Sequence, residues 1–309
     1  MKTSAAPRFP IEGGAYVSLD ELIRLRHLGA DFETLQRQQN HNPLAGMIAS
    51  RVRGRGMDFS EVRQYEPGDD VRTIDWRVTA RTGKAHTKLF QEEKERPVMI
   101  LTDQSHGMFF GSVFAFKSVI AAQAAALIAW SALSQGDRVG GIVFDDVHHH
   151  QFRPRRNKRT VLQMLNAIAE YNQKLRRATQ SESYFMQAIR NAREAAKHGT
   201  TIFIISDFRS LPLSGLYHLE HLCAHHDVMA IHVSDPLETE LPPPERYTIT
   251  NGLTRLQIST DNRNRQTFSN AYKEHFARVK ATFMRLGAEF LCLSSSEPIL
   301  DSFDRQTRA

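Results

Sequence analysis

Two short apolar runs that each break off in an acidic side chain constrain this chain more than any other feature. Pro97 to Met108 reads P-V-M-I-L-T-D-Q-S-H-G-M. Its apolar block Val98–Leu101 is too short for a helix and suits a buried strand, which ends in Asp103 and Ser105. Thr201 to Ile205 repeats the pattern and runs into Ser206 and Asp207. In an open parallel sheet the ligand crevice lies at the carboxyl ends of the strands, so two strands ending in aspartate point to a site there. The same residues also suit the caps of following helices, and both readings stand at this point.

The stretches between and after these runs alternate in period. An alanine-rich segment, residues 113 to 133, is nearly all apolar, but Lys117 and Gln123 interrupt it. It reads as an interior helix packed beneath a sheet rather than a membrane span. Arg138–Phe144 is a second strand, and Val147–Phe152 an edge strand after Asp145-Asp146. Helical spacing follows at 160 to 171 and 183 to 196, around a polar loop at 172 to 182. Beyond Asp207 come a helix at 216 to 224, a strand at 227 to 233, and an excursion that opens with the Pro-rich stretch Asp235 through Pro244 and holds a short strand at 253 to 258. A long helix at 266 to 286, a last strand at 288 to 293 and a terminal helix complete the chain. Such alternation predicts an α/β fold with a doubly wound, mostly parallel, Rossmann-like sheet.

Ahead of the sheet, Ser18 with Glu21 forms a capping box before leucines at helical spacing, within an N-terminal helical extension spanning residues 1–50. Residues 51–96 are rich in arginine, acids and turn residues, and bidentate pairing of the arginines with Asp58, Asp69, Asp70 and Asp75 is expected to fix these loops. Residues 97–309 form the α/β domain. The two cysteines, Cys223 and Cys292, sit near apolar runs and read as buried thiols of a reducing compartment. No apolar core follows the N-terminal residues as in a signal peptide, so a cytoplasmic location is expected, with peripheral membrane attachment through a partner left open.

The formal charge of +6 permits a polyanionic partner without requiring one. Arg153, Arg155, Arg156, Lys158 and Arg159 occur without an intervening acid, which is either a solvated surface or a phosphate-contacting patch. Of the three adjacent histidines, strand alternation leaves His148 and His150 on one face as a minimal metal pair with no third ligand nearby.

The run Gly54 to Lys84, G-R-G-M-D-F-S-E-V-R-Q-Y-E-P-G-D-D-V-R-T-I-D-W-R-V-T-A-R-T-G-K, followed by a strand ending Asp-x-Ser, resembles bacterial proteins of the DUF58 family. Ser206-Asp207-Phe208 and Asp235-Pro236-Leu237-Glu238 also fit it. The resemblance implies a von Willebrand factor A-like fold with a metal-ion-dependent adhesion site at the strand ends. Carried over by position, that site holds Mg2+ through Asp103, Ser105, Ser183 in the threonine place, and Asp207. Gly107 stands where the pattern has a second serine, so one direct ligand is missing. The resemblance further implies a partner, a MoxR-type AAA+ ATPase acting on protein clients.

Three functions follow as expectations. The first is a non-enzymatic protein-binding module, and no residue is assigned a catalytic role. The second is a metal-dependent hydrolase using Asp103 and Asp207, with Ser105 as a nucleophile. It lacks a Gly-x-Ser-x-Gly elbow, a Walker A loop or an HExxH helix to support it. The third is polyanion binding through Arg153 to Arg159, while nucleic-acid recognition has no motif behind it.

Overall fold

The two aspartate-ended strands are hydrogen-bonded neighbours. A computed structural model describes residues 13–27, 57–66, 69, 74–92, 97–174, 184–212, 216–250 and 255–308. By its internal contacts the chain divides into one unit of residues 1–49 with 97–309 and a second of residues 50–96.

The smaller unit contains strand β1 (Met57–Gln64), a helix (Trp76–Thr82) and strand β2 (His86–Glu92). β1 and β2 pair antiparallel, with a register shift between Phe59 and Glu61. That irregularity moves the apolar positions of β1 from Met57 and Phe59 to Val62, so the period-two pattern breaks within the strand. The broken pattern is why a turn-rich reading of the segment missed its hairpin. Of the four aspartates expected to pair with arginine, Asp69 does so, to Arg63 at 2.7 Å. Asp75 caps the helix, accepting from the N–H groups of Arg77 and Val78. Asp70 and the side chain of Asp58 lie outside the described residues.

In the larger unit, six strands lie in the order β10-β7-β6-β3-β4-β5. They are β3 (Pro97–Asp103), β4 (Arg138–Phe144), β5 (His149–Arg155), β6 (Thr201–Ser206), β7 (Asp227–Ser234) and β10 (Glu289–Ser294). All pairings are parallel except that of β5 with β4. Alternate residues of each central strand enter different cores. Val98 and Ile100 face a cluster with the helix Lys117–Ser134, the helix Lys158–Gln173 and the helix Ile299–Arg308. Met99 and Leu101 face a second cluster with the helices Phe185–Ala195, Tyr217–His225 and Asn262–Arg285. Helices on both faces of a mostly parallel sheet make this an α/β fold. A small hairpin, β8 (Arg246–Thr250) with β9 (Arg255–Ser259), fills the excursion after β7; its first strand, following three prolines, is not legible from the sequence.

Helix Lys117–Ser134 is long and apolar enough to cross a membrane. Its residues from Lys117 to Ala132 are nonetheless buried within the protein, which accounts for alanine all around its circumference. The segment 13–27 is pinned to this core at three points. Val17 N–H donates to Asn172 Oδ1 at 2.8 Å, Trp130 Nε1 donates to the Leu22 carbonyl at 2.9 Å, and Phe116 N–H donates to the Gly14 carbonyl at 2.8 Å. β4 packs so close to β3 that a Cβ on Gly141 would lie 2.2 Å from the Ile100 carbonyl oxygen. Both cysteines are free thiols, half-buried rather than fully buried.

Candidate functional site

Parallel pairing aligns the ends of β3, β6 and β7 along one edge of the sheet, and the loops leaving them supply a buried polar cluster. Asp103 closes β3. Its Oδ1 accepts the Ser105 N–H at 2.8 Å and its Oδ2 accepts the Ser206 hydroxyl at 2.6 Å. Ser206 Oγ in turn accepts the Phe208 N–H at 3.0 Å, and Asp207 Oδ1 accepts the Arg209 N–H at 3.0 Å. These bonds hold the turn at 206–209 in a conformation where Phe208, a buried non-glycine residue, adopts φ 55°. An L-residue other than Asn or Asp rarely sits in this region, and such strain persists only where its surroundings fix it.

The cation at the centre is a side chain of the protein. Lys117 begins the alanine-rich helix and is fully buried, and its Nζ lies 2.6 Å from Asp207 Oδ2 and 2.6 Å from Glu238 Oε1. An ammonium at a helix N-terminus is opposed by the helix dipole, so the two carboxylates must supply its stabilisation. Glu238 belongs to a capping box. Asp235 Oδ1 accepts the Leu237 N–H, while Glu238 Oε2 accepts the Asp235 N–H at 3.2 Å. Asp235 Oδ2 accepts the Ser112 N–H at 2.8 Å and the Ser295 hydroxyl at 2.5 Å, joining the ends of β7 and β10 to the loop after β3. Arg209, half exposed, reaches Glu238 Oε1 at 3.2 Å from outside.

Two of the buried carboxylates in this cluster have cationic partners. The ammonium and guanidinium of Lys117 and Arg209 offset the carboxylates of Asp207 and Glu238. Burial by itself would raise the pKa of Asp207, but the charge and hydrogen bond of Lys117, with the N–H and charge of Arg209, outweigh it and hold the carboxyl below its usual range. Asp103 has no such cation. Burial, and then the charge of Asp207, push it up to about 7 against the hydrogen bonds from Ser105 and Ser206. His232, opposite Ser206 across β6 and β7, is pulled down to about 4, chiefly by burial.

The residues expected from the sequence are thus partly brought together. Asp103, Ser105 and Asp207 share the strand-end cluster, whereas Ser183 lies outside the described residues. As arranged, the described members of this set, Asp103, Ser105 and Asp207, do not fit Mg2+. An octahedral ion needs about six oxygens turned toward one point. Here each carboxylate oxygen of Asp103 and Asp207 already accepts a protein donor, and Asp207 Oδ2 carries the ammonium. Charges of +2 and +1 at about 4 Å repel by about 8 kcal/mol even at an effective dielectric constant of ~20. Among the described residues no three His, Cys, Asp or Glu side chains are grouped to hold a metal ion. Gly107 is not imposed by crowding, since an added Cβ would meet only Asp207 Oδ2, at 3.4 Å.

Lys117, Asp235 and Glu238 are the members that a reading for metal ligands passes over. Their signals were a solitary lysine at the start of an apolar helix and the Asp-Pro-x-Glu capping box. The histidine pair is corrected by the structure. His148 lies in the turn with its Nδ1 3.6 Å from Asp145 Oδ1, and β5 begins only at His149. His150 stacks on Phe152 at 4.6 Å. The basic run is likewise divided. Arg153 and Arg155 line a groove of about 540 Å³ with Arg138 and Lys197, while Lys158 and Arg159 line a different surface beside His150 and Phe152.

A family profile described as "Protein of unknown function DUF58" matches residues 61–278. "Uncharacterized protein Rv1480" of Mycobacterium tuberculosis and "Uncharacterized protein Mb1516" of Mycobacterium bovis are each 30% identical over 272 residues, or 86% of this chain and 84% of theirs. Among solved structures, the conserved hypothetical protein BatB from Bacteroides thetaiotaomicron aligns with a TM-score of 0.38 and 13% identity, over 69% of this chain and 100% of that one. An aerotolerance-related membrane protein from Bacteroides fragilis gives 0.38 and 13%, over 69% and 98%.

Proposed function

We propose that this chain, which belongs to the DUF58 family, is a non-enzymatic protein-binding module of von Willebrand factor A-like type that docks a MoxR-type AAA+ ATPase through the carboxyl edge of its sheet. The observation carrying this reading is the contrast at that edge between a closed interior and an apolar rim. Asp103, Asp207, Lys117 and Glu238 are buried, and Lys117 is hydrogen-bonded to both Asp207 and Glu238. Around them Phe110, Val113 and Val147 are exposed, Val113 at 72%. Exposed apolar side chains on such an edge favour association with another protein surface.

The test is the affinity of the purified chain for a MoxR-type ATPase from the same organism, with Val113→Asp and Phe110→Ser as probes. The expected result is binding that weakens by about tenfold or more in the variants, the size of a central interface contact, with unchanged melting temperature. Absence of binding by the parent protein sinks the partner; binding indifferent to both variants sinks the surface.

One observation favours a second reading. Gln151, Arg153 and Arg155 of the edge strand β5 line one groove with Asn191, Glu194 and Lys197. The excess of cations there suits an anionic ligand.

A further inference from the structure

We infer that the ε-ammonium of Lys117 is the resident cation of the strand-end site, standing where a divalent ion would otherwise stand, so that the site is assembled without metal. Four observations meet in this reading. Lys117 is wholly buried and its Nζ touches two carboxylates from different crossovers, Asp207 after β6 and Glu238 after β7, each at 2.6 Å. Bridging carboxylates from separate strand ends is what a divalent ion does at such an edge. The lysine springs from the N-terminus of its helix, where the backbone dipole disfavours a cation, so neither helix propensity nor core packing accounts for it. Finally, Gly107 removes the hydroxyl that a metal would use, although a side chain there would meet nothing closer than Asp207 Oδ2 at 3.4 Å.

The two substitutions act in one direction. A glycine lowers the number of oxygen ligands, and a tethered ammonium neutralises the carboxylates those ligands would have accompanied. A tethered cation also cannot dissociate. The links it makes among the helix 117–134, the turn at 206–209 and the capping box at 235–238 are therefore independent of the metal concentration around the protein. The partner's identity plays no part in this inference.

The experiment uses the full chain and Mn2+ as a spectroscopic probe, followed by electron paramagnetic resonance and by thermal melting with EDTA or added Mn2+ or Mg2+. The parent protein is expected to bind no stoichiometric Mn2+ at about 1 mM and to melt at the same temperature in every condition, since an ion that does not bind the native state cannot stabilise it. Lys117→Ala, and more so Lys117→Ala with Gly107→Ser, is expected to gain one Mn2+ per chain and a melting temperature that rises with the ion. Stoichiometric Mn2+ in the parent, lost in Asp207→Asn, overturns the inference. So does a folded Lys117→Ala with Gly107→Ser that takes up no ion. Should the lysine variants fail to fold, the measurement on the parent decides alone.

Discussion

Lys117 and Asp207, ninety positions apart in the chain, share a 2.6 Å hydrogen bond from which water is excluded. Everything else at the strand ends is arranged around that contact. It ties the start of the central helix to the turn after β6, and through Glu238 it extends to the turn after β7.

Breaking one side of this contact leaves an uncompensated buried charge. Lys117→Met and Asp207→Asn are each expected to destabilise the larger unit by about 3–5 kcal/mol. The double variant should cost less than the sum, because each change removes the partner whose loss penalised the other. Urea unfolding of the four proteins of this cycle measures the coupling.

Two buried groups make stability depend on pH in opposite directions. The Asp103 carboxyl is raised to about 7 in the folded protein, so its contribution is complete below its unfolded value near 3.8 and is lost as the pH rises through 7. The imidazole of His232, lowered to about 4, contributes above its unfolded value near 6.5, and that contribution is lost as the pH falls through 4. Between about pH 4 and 6.5 the two trends oppose each other. Asp103→Asn should unmask a fall in stability toward acid, and His232→Gln a fall toward neutral pH. Melting curves from pH 4 to 8 distinguish them, and identical profiles in all three proteins contradict both assignments.

Asn172 is fully buried, accepts the Val17 N–H, and donates to Gln104 Oε1 at 3.1 Å. Gln104 passes the chain on to the Ser118 carbonyl at 3.0 Å. Asn172→Leu strands these groups at about 1–3 kcal/mol each. The expected signature is a loss of hydrogen-exchange protection concentrated in residues 13–27, with β3 and β6 keeping theirs.

If the groove beside β5 takes an anion, binding of a polyphosphate to the intact protein should weaken with salt, by roughly one unit of log–log slope per phosphate contacted. Arg153→Glu with Arg155→Glu should abolish it, while Lys158→Glu with Arg159→Glu, on the other surface, should leave most of it. Equal losses in the two pairs argue for diffuse attraction instead.

Much of this protein is set by local pattern. The apolar blocks at 98–101 and 202–205 have no polar residue to turn toward water and are short, which marks them as buried strands, and the intervening 3.6-residue periodicity makes their connections helical. Asp103, Ser105 and Asp207 follow as strand-end residues for the same reason. The β1–β2 hairpin escaped because a register shift breaks its alternation, and the division of Arg153 to Arg159 between two surfaces escaped because a strand ends inside the run. What fills the site was decided at a longer range. A lysine in an apolar helix has no local partner, and its sequence neighbours say only that it is costly to bury. Parallel pairing of β3, β6 and β7 sets which strand ends become adjacent, and thereby brings Asp207 and Glu238, 90 and 121 positions away, to the ammonium of Lys117. The Asp-x-Ser strand end by itself suggested a metal, whereas the register of the sheet is what places a lysine ammonium against Asp207.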